Sequence, residues 1–170
     1  MIVQSGKFLD FCIIEGWEYA ARKNCTGAAV IIAITPMNHI LLVEQFRPPV
    51  QSNVIELPAG LIGDQSSQES VLQAAHRELL EETGFRAGSM KHLVGGPISA
   101  GMTSEQIHFV LAKDLVKEGE GGGVDGEEIQ VHQVPIYEFE HWIQAKQREK
   151  VQVDPKIFMA YWYAKLQLES

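Results

Sequence analysis

The stretch GDQSSQESVLQAAHRELLEETGF, Gly63 to Phe85, decides how the rest of the chain is read. Leu72, Ala75 and Leu79 recur at helical spacing within it. Arg77, Glu78, Glu81 and Glu82 crowd the same segment. Residues three or four apart share a helix face, so Glu78 and Glu82 project together with Glu81 beside them. Three like charges this close weaken an ordinary helix unless a cation answers them. Hard carboxylate oxygens suit Mg²⁺ or Mn²⁺, which keep several waters and bind substrate phosphates. A solvated acidic face is the plain alternative. The loop ahead of the helix, Pro58-Ala59-Gly60-Leu61-Ile62-Gly63, and Arg77 inside the cluster favour the metal. The helix is expected from about Gln68, with Ser66 or Ser67 as N-cap and Glu69 in the first turn. Gly84 is its C-terminal glycine. From that start, Glu69 falls about 180° from Glu78 and is not expected to be a main metal ligand.

Outward from this helix, the chain reads as one α/β (α+β) domain. Its 170 residues suffice for a core without staples. Lys7 to Ile14 and Trp17 to Lys23 form an N-terminal hairpin around Glu15-Gly16. Its aromatics pack either on their own domain or on a partner chain or ligand. Gly27 to Ile34 is a buried strand, Ile40 to Phe46 a second and Val54 to Leu57 a third. Arg47 stands at a strand end stiffened by Pro48 and Pro49. Met90–Val94, Gln106–Ala112 and Ile129–Val134 read as further strands. Lys117 to Glu128, KEGEGGGVDGEE, reads as a mobile acidic loop. Ile136 to Lys146 is helical. Asp154-Pro155 starts a last helix, with Ile157, Tyr161, Ala164 and Leu168 on one stripe. Trp162 and Tyr163 are assigned to the core.

Bulk properties narrow the function. A net charge of −8 argues against a nucleic-acid footprint. Two cysteines, Cys12 and Cys25, make no disulfide framework. No signal peptide or spanning helix is read, so a cytoplasmic location without membrane contact is the expectation.

Gly63, Glu69 and the run Arg77-Glu78-Leu79-Leu80-Glu81-Glu82-Thr83-Gly84-Phe85 agree at every fixed position with G-x5-E-x7-R-E-U-x-E-E-x-G-U. This segment resembles the Nudix box. The resemblance implies a Nudix fold, with a mixed sheet between helices, and hydrolysis of a nucleoside diphosphate linked to another group. It implies Glu78, Glu81, Glu82 and the Ala59 carbonyl as metal ligands, with Glu69 and Arg77 as orienting residues.

Val43-Glu44-Gln45-Phe46-Arg47-Pro48-Pro49-Val50 and Glu56 to Ile62 look like the ADP-ribose pyrophosphatase and nucleoside diphosphate sugar hydrolase branch. So do Gly16-Trp17-Glu18 with Arg22, Ser99 to Glu105, and Asp125 to Ile129. By that likeness Trp17 stacks on the nucleobase and Arg47 grips phosphate. Arg22 takes base or phosphate, and Glu56 the base edge. Met102 and Glu105 face the terminal sugar. The general base is expected at Glu127, with Glu128, Asp125, Glu120 and Glu82 as alternatives. The loop either closes on substrate or is a solvated linker. Ala100 stands where members preferring ADP-ribose often carry proline, which leaves GDP-mannose or a broad sugar preference open. A non-catalytic ADP-ribose sensor is the reading from another class. The branch is typically a homodimer with exchanged N-terminal strands, which would carry Trp17 to the neighbouring site.

Overall fold

A computed structural model describes residues 1–124 and 126–168. Strand β4 (Gly27–Ala33) lies at its centre. It pairs in parallel with β9 (Gln106–Lys117) and antiparallel with β7 (Ala59–Ile62). With β8 (Phe85–Pro97) they form a sheet in the order β7-β4-β9-β8. A second sheet has the order β10-β5-β6-β11, from Gln130–Pro135, His39–Arg47, Ser52–Glu56 and Gln152–Val153.

The apolar run of β4 is explained by burial on both faces. Ala29, Ile31 and Ala33 join Ala74, Ala75 and Leu79 of helix α1 (Val71–Thr83) in one core. Val30 and Ile32 face the other, with Leu42, Ile55, Phe139, Ile143, Ile157 and Tyr161. That second core is closed by α2 (Phe139–Arg148) and α3 (Lys156–Leu168). Small residues under α1 let the helix settle close to the sheet. The fold is therefore the expected α+β sandwich.

The N-terminal strands β1 (Ile2–Ser5), β2 (Leu9–Ile14) and β3 (Trp17–Arg22) form a third, separate sheet. The hairpin is as expected, and β1 adds a strand that the sequence reading lacked. Glu15 and Gly16 both have positive φ, 49° and 83°, which matches the tight two-residue hairpin turn. The sheet meets the body through Ala20, whose N–H donates to Met102 O at 2.9 Å.

Four expectations need correction. Helix α1 begins at Val71, not near Gln68, because Ser70 and Gln73 form a reciprocal capping box. Glu69 therefore precedes the helix. Residues 58–63 are not all loop, since β7 pairs with β4 there. Trp162 is 55% exposed, because its position on α3 points away from the stripe of Ile157, Tyr161 and Ala164. The side chain of Leu168 lies outside the described residues, as does Asp125. Finally, the acidic loop is tied down. Gly122 N–H donates to Glu82 O at 2.8 Å and Gly123 N–H to Glu81 O at 3.1 Å. Among the described residues, no helix is long and apolar enough to cross a membrane.

Candidate active site

Arg77 is the hub of the carboxylate cluster. Its Nε donates to Glu69 at 2.9 Å, and one terminal nitrogen donates to Glu78 at 2.6 Å and Glu81 at 3.2 Å. The other donates to Leu61 O at 3.0 Å, Glu69 at 3.1 Å and Asp64 at 3.3 Å. Glu69 also accepts from Gly63 N–H at 3.1 Å. A guanidinium bonding several carboxylates at fixed angles locks the entry loop to the helix. Glu69, held first by Arg77, titrates below its ordinary value; Arg77, held first by Glu69, is raised.

Glu82 sits in a different environment. It is 5% exposed and accepts one hydrogen bond, from Ala59 N–H at 3.1 Å. Among the described residues it makes no ion pair. Burial first, then the charges of Glu78 and Glu127, push its carboxyl up to about 8. Glu78 is also raised, chiefly by burial. It packs over Gly60, where an added Cβ would meet its carboxyl carbon at 1.8 Å. A side chain at that position of β7 would expel Glu78.

One cavity of about 470 Å³ gathers Arg22, Arg47, Glu56, Ala59, Glu78, Glu82, Glu105 and Glu127. Residues distant in sequence thus share a wall with the helix, Arg47 from the end of β5 and Glu127 from the acidic loop. Arg47 donates to Glu56 at 2.7 Å, and Arg22 pairs with Glu105. Glu127 accepts from Val124 N–H at 3.2 Å. Glu69, Arg77 and Glu81 form the flank behind the cavity rather than its lining.

Trp17 and Met102 are elsewhere. Trp17, 65% exposed, lines a second cavity with Ile14, Tyr19, Ala100, Gly101, Thr103 and Ser104. Met102 is 73% exposed. Glu128 opens onto a third cavity beside Glu44, Phe46 and Asn53. The sequence reading missed Gln45, Asp64, Ile98, Asp154 and Lys156 as cavity walls. In the sequence Asp154 signals only a helix start.

The donor set fits a hard divalent cation. One buried carboxylate, Glu82, and one half-buried, Glu78, both with raised proton affinity, adjoin open volume, and water with substrate phosphate would complete the shell. Among the described residues, no three His, Cys, Asp or Glu side chains already converge as a cage. Glu78 turns its Oε1 onto Arg77.

Known proteins place this geometry in a family. Residues 26–161 match the model of the NUDIX domain. The chain is 35% identical over 142 residues to the methanol dehydrogenase activator of Bacillus methanolicus, covering 83% of this chain and 73% of that one. It is 31% identical over 120 residues to the GDP-mannose pyrophosphatase of Pectobacterium atrosepticum, covering 66% of this chain and 60% of that protein. It is 32% identical over 118 residues to the ADP-ribose pyrophosphatase of Bacillus subtilis, covering 65% and 62%. The match thus spans less than two thirds of the length of both pyrophosphatases. The solved structure of an ADP compounds hydrolase superposes with a TM-score of 0.73 at 21% identity, covering 99% of this chain and 91% of that one, and so shares the fold. Nudix hydrolases generally use divalent metal ions. The chain belongs to the Nudix family of hydrolases.

Proposed function

We propose that this chain hydrolyses the diphosphate bond of nucleoside diphosphate sugars, with ADP-ribose giving AMP and ribose 5-phosphate. The observation that carries this reading is the meeting of Glu78, Glu82, Glu127 and Arg47 in one cavity. Two carboxylates for a metal, one for a proton and a guanidinium for phosphate are what such a reaction needs.

Glu78 and Glu82, with Glu81 and the Ala59 carbonyl, would hold Mg²⁺ or Mn²⁺. Such an ion supplies charge neutralisation and a more acidic water. Arg47 leaves Glu56 to grip a phosphate oxygen, and Arg22 does the same from Glu105. Glu105 is then free to face the terminal sugar, and Glu56 the base edge; Met102 stands outside this cavity. The water oxygen bonds to phosphorus as the bridging P–O bond breaks. Glu127 takes the water's proton. Glu69 and Arg77 keep Glu78 aimed.

Glu127→Gln is expected to lose most turnover while retaining metal binding. Full activity in that variant would hand the proton to Glu120, Glu128 or Glu82. A turnover screen with Mg²⁺ over ADP-ribose, GDP-mannose, nucleotide oligophosphates and NADH tests the substrate class. GDP-mannose is the second candidate, supported by the Pectobacterium relative and by Ala100. A sensor role is disfavoured, because no carboxylate of the box is missing.

A homodimer with exchanged N-terminal strands accompanies this reading. Phe8, Trp17 and Ile14 are each more than half exposed, at 64%, 65% and 58%. Trp17 would stack on the base in the neighbour's site, within an assembly that works in the cytoplasm. A fully active monomer by light scattering would end that part.

A further inference from the structure

The candidate active site runs into a neighbouring cavity of about 590 Å³. The two share Arg47, Glu56, Ile98, Asp154 and Lys156. Beyond this junction the wall turns apolar, with Pro49, Val50, Val153 and Pro155.

Among the described residues, three ion pairs join one residue of the cleft lining to another: Arg22 with Glu105, Arg47 with Glu56, and Lys156 with Asp154. The first two hold the guanidiniums proposed for phosphate, and the third lies at the junction of the two cavities. Asp154 is rigidly placed. Its N–H donates to Ile55 O at 2.9 Å, its carbonyl accepts from Ile157 N–H at 3.1 Å, and its Oδ1 accepts from Lys156 N–H at 2.8 Å. The two side chains are 12% and 29% exposed.

A carboxylate accepts about four hydrogen bonds and an ammonium donates three. Asp154 uses two of its sites, and Lys156 one of its donors. What remains is an acceptor and a donor side by side where a polar cleft meets an apolar wall. A phosphate does not match this, because Asp154 repels it. A pair of neighbouring hydroxyls does. One hydroxyl donates to Asp154 while the next accepts from Lys156, and the C–H face of the ring lies on Pro49 and Val50.

We propose that Asp154 and Lys156 bind vicinal hydroxyls of a sugar ring of the substrate, and so act as a specificity-determining pair. This rests on the nucleoside diphosphate sugar reading. Such a substrate carries two rings of this chemistry, the nucleoside ribose and the terminal sugar.

The test compares wild type, Lys156→Met and the exposed control Lys91→Met on three substrates. These are ADP-ribose, its analogue with a 2′,3′-dideoxyadenosine end, and the methyl ester of ADP, which lacks the terminal sugar. For ADP-ribose, Lys156→Met is expected to raise KM about tenfold with kcat nearly unchanged, the size of a lost charged hydrogen bond. That penalty should vanish for one of the two analogues, which identifies the ring that is held. Asp154→Asn should show the same pattern, with thermal unfolding measured alongside to separate binding from folding.

A penalty equal on all three substrates would mean a phosphate contact and overturn the proposal, and so would no penalty on any. Binding of ADP-ribose by calorimetry in Ca²⁺ gives a readout independent of turnover. Wild type that binds ADP-ribose in Ca²⁺ but cleaves it in neither Mg²⁺ nor Mn²⁺, with about tenfold weaker binding by Lys156→Met and none of that loss for one analogue, would sink the hydrolytic reading and support the pair. Wild type that neither binds nor cleaves would overturn both.

Discussion

Arg77 and Glu82 lie five positions apart and live in opposite electrostatic worlds. Around Arg77 every charge has an answer: Glu69, Glu78, Glu81 and Asp64 are all within 3.3 Å of one guanidinium. Glu82 has a single backbone amide, and burial lifts its carboxyl to about 8. The contrast separates architecture from chemistry on one helix. The compensated side holds the entry loop in place. The uncompensated side stores a demand for positive charge at the cavity wall.

The contrast can be broken most severely at Glu82. Glu82→Gln is expected to cut turnover on the order of 10³-fold, about 4 kcal/mol of barrier, and to abolish metal dependence. Steady-state assays against Mg²⁺ concentration read both. Turnover within tenfold of wild type would mean that the demand at Glu82 is not met by a metal.

Arg77→Met attacks the other side. It strands several partly buried carboxylates, so a loss of about 3 kcal/mol or more is expected. In a domain of this size that lowers Tm by roughly 6 °C or more in a calorimetric scan. Turnover should fall because Glu78 loses its hold, while Mg²⁺ dependence persists.

A subtler break uses pH in metal-free protein. The folded state holds the Glu82 proton to about pH 8, whereas the unfolded chain releases it near 4.5. Between those values the folded state binds the extra proton, so this group's contribution to stability falls as pH rises. Denaturant midpoints measured in EDTA should drop over that window, and Glu82→Gln should flatten the drop. A wild-type midpoint that rises through the window, with no difference from the variant, would contradict the assignment.

The smallest effect sharpens the comparison from the ligand side. At ten times its dissociation constant, Mg²⁺ should stabilise wild type by about 1.4 kcal/mol, and Glu82→Gln hardly at all. The gain should be larger at pH 8 than at pH 6, where the proton competes.

The sequence made the buried strand β4 and the carboxylate spacing on α1 legible, because both follow from periodicity alone. It misplaced the start of α1. Three serines, Ser66, Ser67 and Ser70, can each cap, and only the Gln73 side chain returning to Ser70 chooses among them. The same ambiguity puts Glu69 in the helix by sequence, although it precedes the helix and its partners are Arg77 and Gly63. At the site, residues within the box were readable as a local pattern. The walls supplied by Asp154, Lys156, Ile98 and Gln45 were not, since their nearness to α1 comes from sheet topology rather than spacing. Trp162 is exposed because the stripe of Ile157, Tyr161 and Ala164 on α3 leaves it on the outer face.

The seam between α1 and the acidic loop has a consequence for how this site can vary. Gly84 adopts φ 72°, and a Cβ there would meet Gly119 O at 2.1 Å. A Cβ on Gly121, at φ 74°, would meet the Thr83 carbonyl carbon at 2.4 Å. Two stretches of main chain thus touch with nothing between them. The segment bearing Glu127 is registered to the end of the helix bearing Glu82 by bare backbone, not by exchangeable side chains. Insertions could lengthen the loop beyond Gly123 and retune its reach, but its origin is inherited from the helix. In engineering terms, the proposed proton acceptor and the proposed metal ligand are mounted on one bracket, so a graft that moves either must carry both.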